Sequence, residues 1–280
     1  LLSRAVFLVP GLTYITAFML IPLGFIIAYT FLSRGTYGGV EFIFTFENYT
    51  RALDSLYIGV LVKSILIAGA ATLLAFLIGF PVAYAITKLP TNRQNIMLVL
   101  IVLPFWTNFL IRTYAWIVLL NTQGFLNKGL INMGVISQPL ELLYKPSAIV
   151  LGLLYAYIPL MILPIYSSLV RIDPAMKEAA INLGATPAQA FRQVTLPLAL
   201  PGVLIGAIFV FVPSVGNFIV PELLGGGKTI MVGNLIRDQF LKARDWPFGS
   251  VLALSMVIML CALFFIQARV NRRVLGDARA

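Results

Sequence analysis

Asn108, Arg112 and Trp116 recur every four residues within PFWTNFLIRTYAW at 104–116, so on a continuous helix they share one face. An amide, a guanidinium and an indole in one file could contact a polar or charged solute, and Trp106 adds a second indole just upstream. The surrounding residues are apolar, and a buried Arg near mid-span costs ~3 kcal/mol on insertion scales. Arg112 therefore snorkels outward, braces a neighbouring helix or lines a pathway. A second group lies in GAIFVFVPSVGNFIVPELLGG at 206–226. Pro213 returns no hydrogen bond to the carbonyl of Phe209, Gly216 loosens the next turn, and Asn217 follows at i+4 from the proline. A helix broken at membrane depth is tolerated where it is buried in protein or lines a cavity. Residues 213–217 thus read as a gate or solute contact, or as a packing kink. Glu222 would stand at the outer mouth of this helix, and Asp245-Trp246 at the outer start of the next apolar run.

Other chemistry is excluded by residue type. The chain has no His, so it has no imidazole metal site, proton relay or Ser-His or Cys-His pair. Its single Cys261 lies in an apolar run and forms no intrachain disulfide. Gly225-Gly226-Gly227-Lys228 lacks the Gly-x4-Gly-Lys spacing of a phosphate loop. No metal, cofactor or ATP site of its own is expected, and energy must come from a partner.

The elements that position these residues are membrane helices. Of 280 residues, 60% are hydrophobic and 11% charged, against roughly 25% charged in soluble domains. About 20 apolar residues cross the hydrocarbon core as a helix, and six segments qualify: 5–32, 58–87, 96–120, 147–170, 201–220 and 248–268. The expectation is a single all-helical domain over 1–280 with six spans. Lys63, near a span end, snorkels. The first span is too long for a signal-peptide core and lacks a small-residue cleavage site, so it is retained. The chain begins at Leu1 rather than Met, which implies residues before it. Arg4, Arg272, Arg273 and Arg279 give a small Lys/Arg excess to the side of the two termini, which favours cytoplasmic ends. The net charge of +10 follows from that retention and does not imply nucleic acid.

One polar stretch interrupts the apolar pattern, RIDPAMKEAAINLGATPAQAFRQVTLP at 171–197, within a loop taken as 171–200. Asp173 caps a first short helix with Pro174 at its first position, and Gly184 ends it in a left-handed residue. Thr186-Pro187-Ala188-Gln189 is a capping box opening a second short helix, which Leu196-Pro197 stops. A structured knuckle between two membrane helices suggests that a soluble protein docks there. A helix-turn-helix that binds DNA needs cations for phosphates. This hairpin offers Lys177 and Arg192, with Glu178 beside the first. A purely structural amphipathic loop is the remaining reading.

The spacing carries a resemblance. Glu178-Ala179-Ala180, three residues, Gly184, nine residues, Val194, one residue and Leu196-Pro197 match the EAA motif of permease subunits of bacterial ABC importers. That resemblance implies a type I importer permease fold in the bacterial inner membrane, with 171–200 forming cytoplasmic coupling helices. It implies as partners a second, similar permease, two ATPase subunits that bind ATP and Mg, and an extracytoplasmic solute-binding protein. ATP binding would close the ATPase pair, and the coupling helices would turn that closure into a switch from inward-facing to outward-facing.

PFWTNFLIRTYAW, VPELLGG and QFLKARDWPFGS at 239–250 further resemble the spermidine/putrescine subgroup. Carboxylates at Glu222 and Asp245 and the indoles of Trp106, Trp116 and Trp246 suit a flexible polycation through ion pairing and cation–π contact. No acidic residue lies within a predicted span, and Arg112 repels a cation, so a second permease would supply further carboxylates. An importer for another small organic solute stays open. An ion-coupled secondary transporter would need intramembrane Asp or Glu, and neither it nor a purely structural subunit accounts for the EAA spacing.

Overall fold

A computed structural model describes residues 2–277, with side chains described from 9 to 269. The side chains of Arg4, Arg272 and Arg273, and the whole of Arg279, lie outside the described residues. In chain order the helices and strands are α1 (Leu2–Ile15), α2 (Ile21–Tyr29), β1 (Leu32–Arg34), β2 (Val40–Phe44), α3 (Glu47–Ala52), α4 (Ser55–Ile86), α5 (Thr91–Val102), α6 (Phe109–Leu120), α7 (Phe125–Asn132), α8 (Pro146–Val170), α9 (Pro174–Asn182), α10 (Pro187–Ala190), α11 (Leu196–Gly216), α12 (Ile219–Gly225), α13 (Val232–Leu241) and α14 (Trp246–Asp277). A π-turn, Thr16–Leu20, joins α1 to α2, and another, Phe191–Thr195, joins α10 to α11. Among the described residues the regular structure is helical apart from one antiparallel hairpin, β1–β2, in which Arg34 pairs with Val40 and a bulge falls between Leu32 and Ser33.

Among the described residues, five stretches are long and apolar enough to cross a membrane: Val9–Tyr29, Ser55–Ile86, Pro146–Val170, Pro187–Gly216 and Trp246–Arg269. The third predicted span, 96–120, is not one rod. It is a pair, Thr91–Trp106 and Phe109–Asn132, bent by 90°. The fifth also differs from expectation, because Leu196-Pro197 does not stop a helix. A proline gives no hydrogen bond to the carbonyl four residues back, here Gln193. The π-turn, whose bonds reach five residues back, absorbs that omission, and the helix runs unbroken from Pro187 to Gly216.

The chain divides into two compact units, one of residues 1–61 with 232–261, the other of 62–231 with 262–280. In the second unit α8 is the centre. Met161, Ile162 and Ile165 on α8 are buried with Phe80 of α4 and Val210 of α11. Glycines set how closely α11 approaches: a methyl on Gly202 would fall 2.5 Å from the Pro164 carbonyl oxygen, and one on Gly206 2.9 Å from Met161 Sδ.

The first unit is held by polar and aromatic contacts. Phe31 stacks on Phe44 at 5.7 Å, with Phe46 and Tyr49 against the pair. Asn48, buried, donates to the Leu32 carbonyl at 2.9 Å and anchors α3 to the hairpin. Arg51 of α3 pairs with the buried Asp245 at 3.0 Å and lies 4.2 Å over the Phe248 ring. Asp245 also caps α14, accepting from the Phe248 N–H at 3.1 Å. Near the end of α13, burial pushes the Asp238 carboxyl up, but Arg237 and Lys242 beside it pull it further down, below its ordinary value. Removing one member of a buried pair strands the other charge. Arg51→Ala is therefore expected to destabilise this unit by about 3 kcal/mol, the low end of that range because Arg51 is partly exposed. Asp245→Ala, which removes the buried charge together with the cap, is expected to cost less. Thermal melts of the two purified variants check the order.

Candidate functional site

Both breaks in the second unit are made by asparagine. After Pro104 the chain tightens into a 3-10 turn, Leu103–Trp106, then Thr107 is extended. Asn108 caps α6, its Oδ1 accepting from Leu110 N at 2.8 Å and Ile111 N at 3.4 Å. With φ −58° and ψ 129°, Asn108 is not helical, so only Arg112 and Trp116 share a face of α6. The correction has a local cause: asparagine competes with the helix for its own backbone donors and prefers a cap.

Arg112 is half-buried, its guanidinium 5.5 Å from the Phe105 ring and 5.8 Å from the Phe109 ring. It thus touches one aromatic before the bend and one after it. Its Nε is buried without a hydrogen-bond partner among the described residues. Trp116 packs edge-on to Tyr155 at 5.6 Å, and Trp106 is 84% exposed at the end of the 3-10 turn.

The second break falls at the far end of the 213–217 stretch that the sequence suggested, at Asn217 and not at Pro213. Pro213 stays inside α11, which continues to Gly216. Asn217 leaves the helix with ψ 130°, and its Oδ1 accepts from Val220 N at 2.8 Å to cap α12. Its Nδ2 donates to the Tyr157 hydroxyl at 2.8 Å. The Tyr157 ring in turn stacks on Phe109, 6.5 Å away. One tyrosine of α8 therefore joins both breaks, and sequence reasoning missed it. The available signal was a phenol in mid-span between Tyr155 and Pro159. Glu222 is exposed in the first turn of α12, where a carboxylate favours the helix N-terminus. Asp245 and Trp246 belong to the other unit, where Asp245 is engaged by Arg51 and Trp246 lies 6.4 Å from Tyr29.

The polar loop folds as its sequence dictates. Asp173 accepts from Ala175 N at 2.9 Å. At the other end of α9, Gly184 takes φ +93°, its N–H bonds the Ile181 carbonyl at 2.9 Å, and Ala185 N bonds Ala180 O at 3.1 Å. That is the Schellman closure. The Thr186–Gln189 capping box is complete. Phe191 anchors the loop edge-on to Phe80 and Tyr84. By contrast α9 buries no residue at all, leaving Glu178 and Ala179 exposed and Ala180 half-buried. Met176, Ile181 and Leu183 are exposed too, the last by 90%. Glu178 edges a cavity of about 670 Å³ with Lys88, Gln94, Tyr166 and Lys177. Val194, Leu196 and Pro197 are half-buried where this loop enters α11.

Residues 75–276, which contain both breaks and the whole loop, match the family described as binding-protein-dependent transport system inner membrane component. The chain belongs to this family. The permease is 39% identical over 259 residues to the spermidine/putrescine transport system permease protein PotB of Escherichia coli (strain K12), covering 92% of this chain and 94% of that one. It is 40% identical over 260 residues to the PotB of Haemophilus influenzae, covering 93% and 91%. Its fold recurs in a bacterial alginate ABC transporter solved with an alginate pentasaccharide-bound periplasmic protein, with TM-score 0.79, 14% identity and coverage of 97% and 94%. The MetNI methionine ABC transporter in an inward-facing form gives TM-score 0.56, 18% identity and coverage of 78% and 96%. The permease therefore has the type I ABC importer fold and is an inner-membrane transport subunit.

Tyr157→Phe in this permease removes the hydroxyl and leaves the Asn217 amide short of an acceptor. A loss of about 1–2 kcal/mol is expected, seen as a lower melting midpoint in detergent. An unchanged midpoint would show that the two breaks are not tied through this bond.

Proposed function

We propose that this permease forms half of the translocation pathway of an ATP-driven importer for polyamines such as spermidine and putrescine. The identity to spermidine/putrescine permeases across 92% of the chain carries the substrate reading. The pathway is assigned to the second unit's helix pairs α5–α6 and α11–α12, along which Trp106, Asn108, Arg112, Trp116, Asn217 and Glu222 are distributed. Glu222 and the exposed indole of Trp106 suit a polycation, while Arg112 sets a positive barrier. A second, homologous permease supplies the other half and further carboxylates. Asp245 is left out of solute binding because Arg51 neutralises it.

The loop 171–200 is assigned to the cytoplasm, with both termini, as the seat of an ATPase subunit. Support comes from α9, an unburied helix that holds Met176, Ile181 and Leu183 in water, a pattern that marks an interaction site. Two such ATPase subunits hold ATP and Mg, and this chain contributes Glu178-Ala179-Ala180, Gly184 and the Val194 to Pro197 stretch to the joint. An extracytoplasmic binding protein delivers the solute. Pro213 and Gly216 lie in the last turn of α11, where the helix ends at the proposed gate.

The complex in nanodiscs with its cognate binding protein is expected to raise its ATPase rate with spermidine or putrescine and not with an anionic solute. A rate indifferent to polyamines would remove the substrate reading and leave the importer. Nothing lies within 4 Å of a Cβ added at Gly184, so Gly184→Trp projects into the docking face. Its left-handed backbone adds strain of about 1–2 kcal/mol. Normal insertion with loss of ATPase co-purification is expected, and intact co-purification with normal uptake would exclude the docking role. Glu222→Gln is expected to raise the polyamine concentration for half-maximal uptake severalfold, and an unchanged value would take Glu222 out of the pathway.

A further inference from the structure

Three consecutive residues of the loop before α14 are gripped from three directions within the first unit. Arg34 donates to the Ala243 carbonyl at 2.7 Å, Gly39 N donates to the Arg244 carbonyl at 2.7 Å, and Arg51 pairs with Asp245 at 3.0 Å. Held this way, Arg244 adopts φ +49°, a region in which residues other than glycine are strained. Gly38, itself at φ +90°, sits so close that a methyl there would lie 2.7 Å from the Arg244 Cβ. The backbone bonds on either side and the close approach of Gly38 keep Arg244 in this state, as happens where strain serves a function.

What the grip presents is specific. The Arg244 side chain is exposed and makes no hydrogen bond or ion pair among the described residues. Tyr37, next to Gly38 at the hairpin tip, is 97% exposed. The acids of this segment are already engaged, Asp238 by Arg237 and Lys242, and Asp245 by Arg51. An exposed guanidinium beside an exposed phenol is a combination common at the energetic centres of protein interfaces.

We propose that Arg244 and Tyr37 form the docking point on this permease for the carboxylate-bearing rim of the extracytoplasmic binding protein. In the orientation assigned above, this loop lies on the outer face. The occupant follows from charge complementarity and rests on the polyamine reading: a carrier of polycations lines its cleft with carboxylates, which a free guanidinium on a fixed backbone pairs with strongly. The family is defined by dependence on a binding protein, and a transporter of the same fold has been solved in complex with a periplasmic protein. On docking, Arg244 competes with the bound polycation for carboxylates at the rim and loosens the carrier's hold at the entrance.

The reconstituted complex is titrated with solute-free and polyamine-loaded binding protein, and ATPase stimulation is read against binding-protein concentration. Arg244→Glu is expected to raise the half-maximal concentration about tenfold or more, with the rate in the absence of binding protein unchanged. Arg244→Gly, which suits the left-handed backbone and keeps the loop, is expected to weaken docking in the same direction, and Arg244→Lys to retain most of it. Parent-like half-maximal concentrations in both Arg244→Glu and Arg244→Gly overturn the proposal. A parent complex stimulated by its binding protein yet indifferent to polyamine overturns the substrate reading and the competition step, while the docking constants still decide the contact.

Discussion

Every peptide N–H and C=O at membrane depth must be paired within the protein, because hydrocarbon offers no partner. A helix that breaks there exposes orphan donors at its new N-terminus. This permease breaks one span and ends another, and each time an asparagine meets the demand, Asn108 for α6 and Asn217 for α12. The other polar contacts at the breaks depend on that solution. Tyr157 can join the two sites only because each break has a fixed position, and Arg112 can reach a ring on either side of the bend only because Asn108 sets the angle.

This solution also explains how much was legible. The polar loop was readable almost residue by residue, since Asp173, Gly184 and the Thr186–Gln189 pair act on their nearest backbone neighbours. Five of the six expected spans were readable from apolar length as single helices, and the sixth is matched only by the bent pair. The bend inside 96–120 was not, because hydropathy weighs Pro104 and Asn108 as two dilute polar residues in an apolar window. Asn108 was read as a solute ligand on a helix face, when its backbone is what the helix starts from. The same confusion touched Pro197, whose missing donor ends most helices and here is absorbed by a π-turn.

Long-range partners were beyond the sequence altogether. Asp245 and Glu222 look alike as isolated carboxylates before or after a proline. Arg51, almost two hundred residues from Asp245, neutralises one of them. Tyr157 acquires its importance only from Asn217 and Phe109, neither of them on its own helix. The hairpin of residues 32–44 escaped notice because three-residue and five-residue strands leave too little alternation to register.

The unbroken helix from Pro187 to Gly216 has a mechanical consequence. Its 30 residues make a rod of about 45 Å at the usual rise per residue. Pivoting such a rod about its loop-side end through an angle too small to disturb its own hydrogen bonds, roughly five degrees, sweeps the far end through about 4 Å, more than half the pitch of a helical turn. The far end is where Asn217 holds Tyr157. A rod that starts in the polar loop and ends at the Asn217–Tyr157 joint needs no relay of side chains to carry a displacement from one to the other.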